Sequence, residues 1–216
     1  MKFYNSLGPN PRLVRMYALE KGIELDAVEV DIMGGENRQD DYVAKNPMGE
    51  LPSLELDDGR VIGQTIAICE YLDETQPGPK LVGETPEARA TTRMWIRNLD
   101  AKIIEPLGNG FRWAEGQAMF EGRRHLVPHA ADDMKAIARE GLQWLDAQLE
   151  GRDFVTGDAF GLADIQLYTM LDFGTGVGQP FDPSLGNVKA WFDRIAGRES
   201  AEASLHPVAK AGGMRA

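Results

Sequence analysis

A segment around residues 46–72 constrains the fold of this chain more than any other feature. It begins Asn46-Pro47-Met48-Gly49-Glu50-Leu51-Pro52-Ser53-Leu54 and continues through an Asp-Asp-Gly turn into an apolar run that ends at Leu72. Proline is tolerated only at the start or the edge of a strand, so Pro52 marks the point where an alternating strand begins. The segment therefore predicts strand, turn, strand and helix, with a Leu51-Pro52 bond that can be cis.

The same segment predicts a binding site formed by Leu51, Pro52, Gln64 and Thr65. With a cis bond before Pro52, the backbone amide of Leu51 turns outward and stays unpaired. Gln64 and Thr65 lie at the start of the following helix, where free amides and the positive helix end favour a carboxylate. This combination indicates a site for an extended, peptide-like anion. The alternative is that Pro52 only enters a strand and Thr65 only caps its helix.

The chain divides at a stretch rich in proline and glycine. Residues 1–76 show strand and helix signals in the order β-α-β-α-β-β-α, residues 77–86 form a linker, and residues 87–216 show only helical patterns. We expect the first helix to begin with Asn10 as its cap and Pro11 at its first position. We expect a long helix from Ala88 to about Trp113, bent near Pro106, and a loosely ordered tail from Pro207.

Composition excludes several classes of partner. The formal net charge of −11 argues against nucleic acid and anionic membrane surfaces. No apolar run approaches the roughly 20 residues of a membrane helix, and no signal peptide is visible. The single cysteine, Cys69, excludes an internal disulfide and fits a reducing, cytoplasmic location. His125 and His129 have i, i+4 spacing, but Pro128 interrupts the helix that a metal pair needs, so we predict no metal.

Three motifs, at matching order and spacing, resemble those of the cytosolic glutathione transferases. They are Asn46-Pro47-x-Gly49-x-Leu51-Pro52-x-Leu54, Gln64-Thr65-x-Ala67-Ile68-x-x-Tyr71-Leu72 and Gly157-Asp158-x-Phe160-Gly161-Leu162-Ala163-Asp164-Ile165. The resemblance implies a fold of class α/β plus all-α: an N-terminal thioredoxin-like βαβαββα domain followed by a C-terminal helical bundle domain. It also implies a homodimer that binds glutathione as co-substrate and a small hydrophobic electrophile. In the third motif, Gly161 replaces the usual hydroxyl cap, which leaves Asp164 to make half of a capping box as a structural residue.

The resemblance also assigns roles to residues of the predicted site. It implies that the Leu51 backbone pairs with the cysteinyl part of glutathione and that Gln64 and Thr65 hold the γ-glutamyl end. Glu50 is a departure, because relatives often have Lys or Gln there against the glycyl end and two carboxylates repel each other. Either Glu50 points to solvent or another group holds the glycyl carboxylate, and Arg38 is the proposed substitute because Arg suits carboxylates.

The thiol-activating residue is not the usual one. By the same resemblance, Gly8 occupies the column where relatives carry Ser, Cys or Thr, and Asn10 corresponds to an Asn that contacts the glutathione sulfur in some classes. An Asn amide can donate to a thiolate but cannot remove its proton. We predict that Asn10 stabilises the thiolate, with Ser6 in reserve; the alternative is that Asn10 is only a helix cap.

Aromatic residues of the helical part are the predicted substrate cleft. The resemblance places a hydrophobic cleft after the first long helix, and aromatic residues suit a permissive apolar site. Ordinary core packing is the alternative for each of these residues: Phe111, Trp113, Phe120 and Tyr168. The leading function is a glutathione transferase. The alternatives are a glutathione-dependent reductase or peroxidase and a non-catalytic ligand-binding protein of the same fold.

Overall fold

A four-stranded mixed sheet is the centre of the first part of the chain in the computed structural model, which describes residues 1–216. The strands follow the order β2-β1-β3-β4 and are β1 (Lys2–Asn5), β2 (Ala27–Glu29), β3 (Ser53–Glu55) and β4 (Val61–Gly63). β2 is parallel to β1, whereas β3 is antiparallel to both of its neighbours. The helices of this part are α1 (Pro9–Lys21), α2 (Asp40–Val43) and α3 (Thr65–Thr75). The predicted order β-α-β-α-β-β-α is confirmed.

Residues 83–198 form a second unit that is built from helices. They are α4 (Pro86–Leu99), α5 (Glu105–Arg112), α6 (Gln117–Phe120), α7 (Ala131–Gln148), α8 (Leu162–Gly176) and α9 (Gly186–Ala196). None of the helices combines the length and the apolar composition that would be needed to cross a membrane.

The long helix predicted from Ala88 to Trp113 is interrupted one turn before the expected bend. A π-helical turn at Asp100–Ile104 joins α4 to α5. Pro106 has no N–H to donate to the carbonyl of Lys102, so the regular ladder fails on the N-terminal side of the proline. α7 passes this turn closely, because a Cβ added at Gly141 would lie 2.2 Å from the Lys102 carbonyl oxygen. Glycine is therefore required at this helical position for backbone contact.

Helix α8 is the buried axis of the helical unit, as its apolar sequence predicts. Every residue from Leu162 to Gly174 is buried. Asp164 in its first turn accepts hydrogen bonds from the amide of Gly161 at 3.0 Å, the amide of Val155 at 2.8 Å and the indole Nε1 of Trp191 at 2.8 Å. The predicted half capping box is present, and Asp164 also joins the helix to a preceding loop and to α9.

Asp100, in the π-helical turn, is a carboxyl group whose pKa is raised by burial. Gln166 Nε2 donates to its carboxylate at 2.7 Å. Burial, assisted by the nearby charge of Glu105, raises the pKa of Asp100 to about 6. A folded-state pKa above the unfolded value means that the protonated form stabilises the fold below about pH 4, and that this stabilisation is lost as the pH rises through about 6.

We therefore expect Asp100→Asn to flatten the decline of stability between pH 4 and pH 7.5. The variant should gain about 1–2 kcal/mol relative to the wild type across this interval, since the neutral amide has no charge to desolvate. All four tryptophans lie in the helical unit, so urea unfolding followed by tryptophan fluorescence measures the effect. Asp26→Asn, an exposed change in the first unit, is the control. An unchanged pH slope in Asp100→Asn would contradict the assignment.

The C-terminal residues 199–216 group with residues 1–82 rather than with the helices before them. They contain α10 (Glu199–Ala203) and α11 (Pro207–Ala211). The predicted loose tail is wrong: α11 is helical, Ala209 is buried and the His206 amide donates to the carbonyl of Ala216. Local periodicity along the sequence carries no information on which unit a terminal helix packs against. Long-range hydrogen bonds from α1 join residues 199–216 to the first unit.

Two arginines of α1 hold this C-terminal segment. Arg12 is fully buried and donates to the carbonyls of Ala201 at 2.8 Å and Arg215 at 3.0 Å and to the hydroxyl of Ser204 at 3.3 Å. Arg15 donates to the carbonyl of Ser204 at 2.8 Å. The guanidinium groups thus satisfy backbone acceptors that would otherwise be buried without partners.

Candidate functional site

The sheet register brings three loops to one edge of the first unit. Ser53, the first residue of β3, pairs with Tyr4 on one side and with Gly63 on the other. The chain that leaves β1, the chain that enters β3 and the chain that leaves β4 therefore meet at this edge. They carry the predicted site residues, which are Ser6 and Asn10, Glu50 to Pro52, and Gln64 and Thr65.

The Leu51-Pro52 peptide bond is cis, the isomer that the sequence allowed. No backbone hydrogen bond within the chain uses the amide or the carbonyl of Leu51, which precedes the first paired residue of β3. The side chain of Leu51 is buried against Tyr4, Val30 and Tyr42. The backbone of Leu51 is therefore held in place by its side chain while its polar groups remain available to an extended peptide.

Three polar side chains hold the loop before the cis bond. Tyr42 Oη donates to the carbonyl of Glu50 at 2.9 Å, and Asn46 Nδ2 donates to the same oxygen at 2.7 Å. Asn37 Nδ2 donates to the carbonyl of Gly49. These buried side chains satisfy the carbonyls of Gly49 and Glu50 and thereby hold the loop in place.

Gln64 and Thr65 begin α3 in an unusual geometry. Gln64 is the residue before the helix and has φ of 69°, the only positive φ outside glycine in the chain. A non-glycine residue in this region of φ and ψ raises the free energy of the folded chain by about 1–3 kcal/mol, and such strained residues occur often at binding sites. No side chain caps the first turn of α3, and Thr65 is its first helical residue rather than its cap. Thr65 thus lies one residue past the cap position, in the first turn of α3, where the positive helix end favours an anion.

Glu50 does not simply point to solvent. It is half-buried, and its carboxylate accepts a hydrogen bond from Gln64 Nε2 at 3.3 Å. Arg38, at the end of a 3₁₀ turn (Glu36–Arg38), is exposed, and its alkyl chain lies beside Gly49. The structure thus places Glu50 in contact with the residue before α3 and the alkyl chain of Arg38 beside Gly49.

The two residues predicted to activate the thiol, Ser6 and Asn10, differ in their exposure to solvent. Ser6 is 2% exposed, and its hydroxyl donates to the carbonyl of Val30 at 2.7 Å, so its proton is used inside the domain. Asn10 is exposed, and it is the second residue of α1 rather than its cap. The cap is Gly8, with φ of 123°, a conformation that disfavours any residue with a side chain. The geometry favours Asn10 over Ser6.

The first turn of α1 leaves Asn10 as its main donor. Pro9 and Pro11 have no N–H, and the amide of Arg12 donates to the carbonyl of Gly8 at 3.2 Å. The backbone and side-chain amides of Asn10 remain at the positive end of a 13-residue helix. An anion at this position would meet a directed side-chain donor together with the helix dipole.

The predicted cleft residues do not form one group. The rings of Phe111 and Phe120 meet edge to face at 6.2 Å, and Phe111 also packs against Phe173 at 5.1 Å. Tyr168 is buried on α8 against Phe192, with ring centroids 5.0 Å apart, which is core packing. Trp113 is half-buried just after α5. Phe111 and Phe120 are therefore brought together, whereas Tyr168 is not in their cluster.

Comparison with known proteins identifies the family. Residues 8–75 match the model of the glutathione S-transferase N-terminal domain, and residues 127–199 match that of the C-terminal domain. Maleylacetoacetate isomerase of Rattus norvegicus is 41% identical over 158 residues, 71% of this chain and 68% of that protein. Glutathione S-transferase 2 of Saccharomyces cerevisiae is 29% identical over 200 residues, 92% of this chain and 86% of that protein.

Solved structures agree with this result. A glutathione S-transferase domain-containing protein of Marinobacter aquaeolei superposes with a TM-score of 0.87 at 35% identity, covering 93% of this chain and 99% of that one. Gtt2 of Saccharomyces cerevisiae superposes with a TM-score of 0.87 at 28% identity, covering 95% of this chain and 100% of that one. The chain belongs to the cytosolic glutathione transferase superfamily. Proteins of this family use glutathione, and the similarity to them supports a glutathione-dependent enzyme activity in the broad sense.

Sequence reasoning missed the residues that support the site. Asn46 belongs to a motif recognised from the sequence, but its bond to Glu50 was not anticipated. Tyr42 gave no signal beyond a weak helix, and Asn37 gave none. An Asn-Pro pair before a glycine is typical of a side chain that bonds its own turn, which is the signal that could have identified Asn46.

Proposed function

We propose that this chain is a glutathione transferase that holds the glutathione thiol as a thiolate beside Asn10 and presents it to a small hydrophobic electrophile. The observation that carries the proposal is the exposed Asn10 amide at the positive end of α1, within the region that matches the N-terminal domain model. In this arrangement Leu51 pairs with the cysteinyl backbone, Gln64 and Thr65 hold one end of the peptide, and Arg38 holds the glycyl carboxylate.

The physical role of Asn10 is to lower the pKa of the bound thiol. A hydrogen bond to a charged group contributes about 1.5–3 kcal/mol, and one pKa unit corresponds to about 1.4 kcal/mol. Asn10 therefore lowers the thiol pKa by about one to two units, and the dipole of α1 acts in the same direction. A thiolate is the stronger nucleophile, so this shift makes attack on an electrophile possible at neutral pH.

We expect Asn10→Ala to raise the pKa of enzyme-bound glutathione by about one to two units. The measurement is the ultraviolet absorbance of the bound thiolate as a function of pH, together with conjugation rates for a panel of aryl halides, epoxides and peroxides. The control is Gln76→Ala. It removes a side-chain amide at the C-terminal end of α3, opposite the end where Gln64 and Thr65 lie. Equal thiol pKa values in wild type and Asn10→Ala would contradict the role of Asn10. Failure of the wild type to bind glutathione would contradict the function itself.

A second candidate activity is glutathione-dependent isomerisation. Relatives named maleylacetoacetate isomerase, from Rattus norvegicus and Pseudomonas aeruginosa, support it at 41% and 31% identity. The same thiolate would add to a conjugated double bond and leave again after rotation, with no net transfer. Maleylacetoacetate therefore belongs in the substrate panel, and turnover without consumption of glutathione distinguishes isomerisation from conjugation. The comparisons do not favour the reductase, peroxidase and non-catalytic alternatives.

A further inference from the structure

Glu50 is an acidic side chain of the candidate site, and its carboxylate lies near the start of α3. Its carboxylate accepts from Gln64 Nε2 at 3.3 Å, and Gln64 is the residue that begins α3. Glu50 is therefore a negative charge beside the helix end that favours anions. Its backbone does not move freely, since Tyr42 and Asn46 both donate to its carbonyl.

The two ends of glutathione differ in charge at this point. The glycyl end is a carboxylate alone, whereas the γ-glutamyl end carries a carboxylate and an ammonium on the same carbon. A lone carboxylate at the start of α3 would lie against Glu50 and be repelled. An amino-acid head would place its carboxylate at the first turn of α3 and its ammonium against Glu50, so both charges would be complemented.

We propose that Glu50 binds the α-ammonium of the γ-glutamyl residue, and that it thereby restricts the site to thiol peptides with a free amino-acid head. The inference rests on the proposed function, since it assigns the orientation of glutathione in that site. It turns Glu50 from a repulsive departure into a residue that determines specificity. Arg38, whose alkyl chain lies beside Gly49, is left to the glycyl carboxylate.

The experiment measures binding of three peptides by calorimetry: glutathione, its analogue with glutaryl in place of γ-glutamyl, which lacks the ammonium, and glutathione esterified at the glycyl carboxylate. In the wild type, the analogue without the ammonium should bind about fivefold more weakly than glutathione, as for a partly exposed ion pair. Glu50→Gln should bind glutathione about fivefold more weakly and should no longer distinguish the two peptides. Esterification should affect wild type and variant alike.

Glu74→Gln is the matched control, because it makes the same change of charge at an exposed position of α3. It should retain the preference for glutathione over the analogue without the ammonium. Tighter binding of glutathione by Glu50→Gln, with a preference of the wild type for the ester, would overturn the proposal and place Glu50 at the glycyl end. Equal binding of glutathione and the glutaryl analogue by the wild type would also overturn it. Absence of glutathione binding in every form would instead remove the proposed function.

Discussion

Asp164→Ala is expected to lower the free energy of unfolding of the helical unit by about 4 kcal/mol, the largest effect of any single change considered for this chain. The wild-type carboxylate accepts from the amides of Val155 and Gly161 and from the indole of Trp191, all in the interior. Removing it leaves three buried donors without an acceptor, and each loses the full compensation for its desolvation. Asp164 is fully buried, and this burial raises its pKa to about 6 despite the three bonds.

Urea unfolding followed by tryptophan fluorescence measures this loss, since Trp191 itself reports on the site. Asp158→Ala, at an exposed position of the same motif, is the control and should change stability by less than about 0.5 kcal/mol. Asp164→Asn keeps one acceptor oxygen and should fall between the two. A loss below about 1 kcal/mol in Asp164→Ala would show that the loop, α8 and α9 do not depend on this residue.

Arg12→Ala is expected to destabilise the first unit by about 3–4 kcal/mol and to release residues 199–216 from it. The guanidinium is fully buried and is the donor for two backbone carbonyls and one hydroxyl of the C-terminal segment. Alanine would leave a cavity and buried acceptors without donors. Arg12 follows Asn10 by two residues, so we expect the same change to loosen the turn that carries the proposed thiolate donor.

Hydrogen–deuterium exchange of residues 199–216, together with thermal unfolding, measures the release. Arg12→Lys retains a charge but not the fork of donors, and it should lose a large part of the protection. Arg60→Ala is the control, because it removes an exposed ion pair with Asp58 and should leave both stability and exchange almost unchanged. Unchanged exchange in Arg12→Ala would mean that the segment is held by other contacts.

Local patterns predicted the parts of the site that local geometry decides. The strand entry at Pro52, the hairpin after it and the helix beginning at Thr65 follow from turn residues and apolar spacing within 30 residues. The same motif allows a cis Leu51-Pro52 bond, and the structure contains it. The family resemblance, carried by three motifs, was confirmed by comparison with both domain models.

Helix boundaries beside prolines were less predictable. An Asn before a proline is the usual cap signal, yet α1 begins at Pro9 with Gly8 as its cap. Two prolines compete here for the first helical position, and only the conformation of Gly8 decides between them. This one-residue difference makes Asn10 an exposed donor rather than a cap, and it is the reason that its proposed role is physically available.

The sequence alone determined the class of fold, the position of the turn before Pro52 that is proposed to bind the peptide, and the buried character of α8, because each depends on residues close together along the chain. The tertiary structure decided which polar groups are available to a ligand. The hydroxyl of Ser6 donates to a carbonyl 24 residues away along the chain and is therefore not available to a ligand. Arg12 donates to acceptors about 190 to 200 residues away. Such pairings arise only when distant segments are packed together, because a buried polar group takes whichever partner the fold brings within reach.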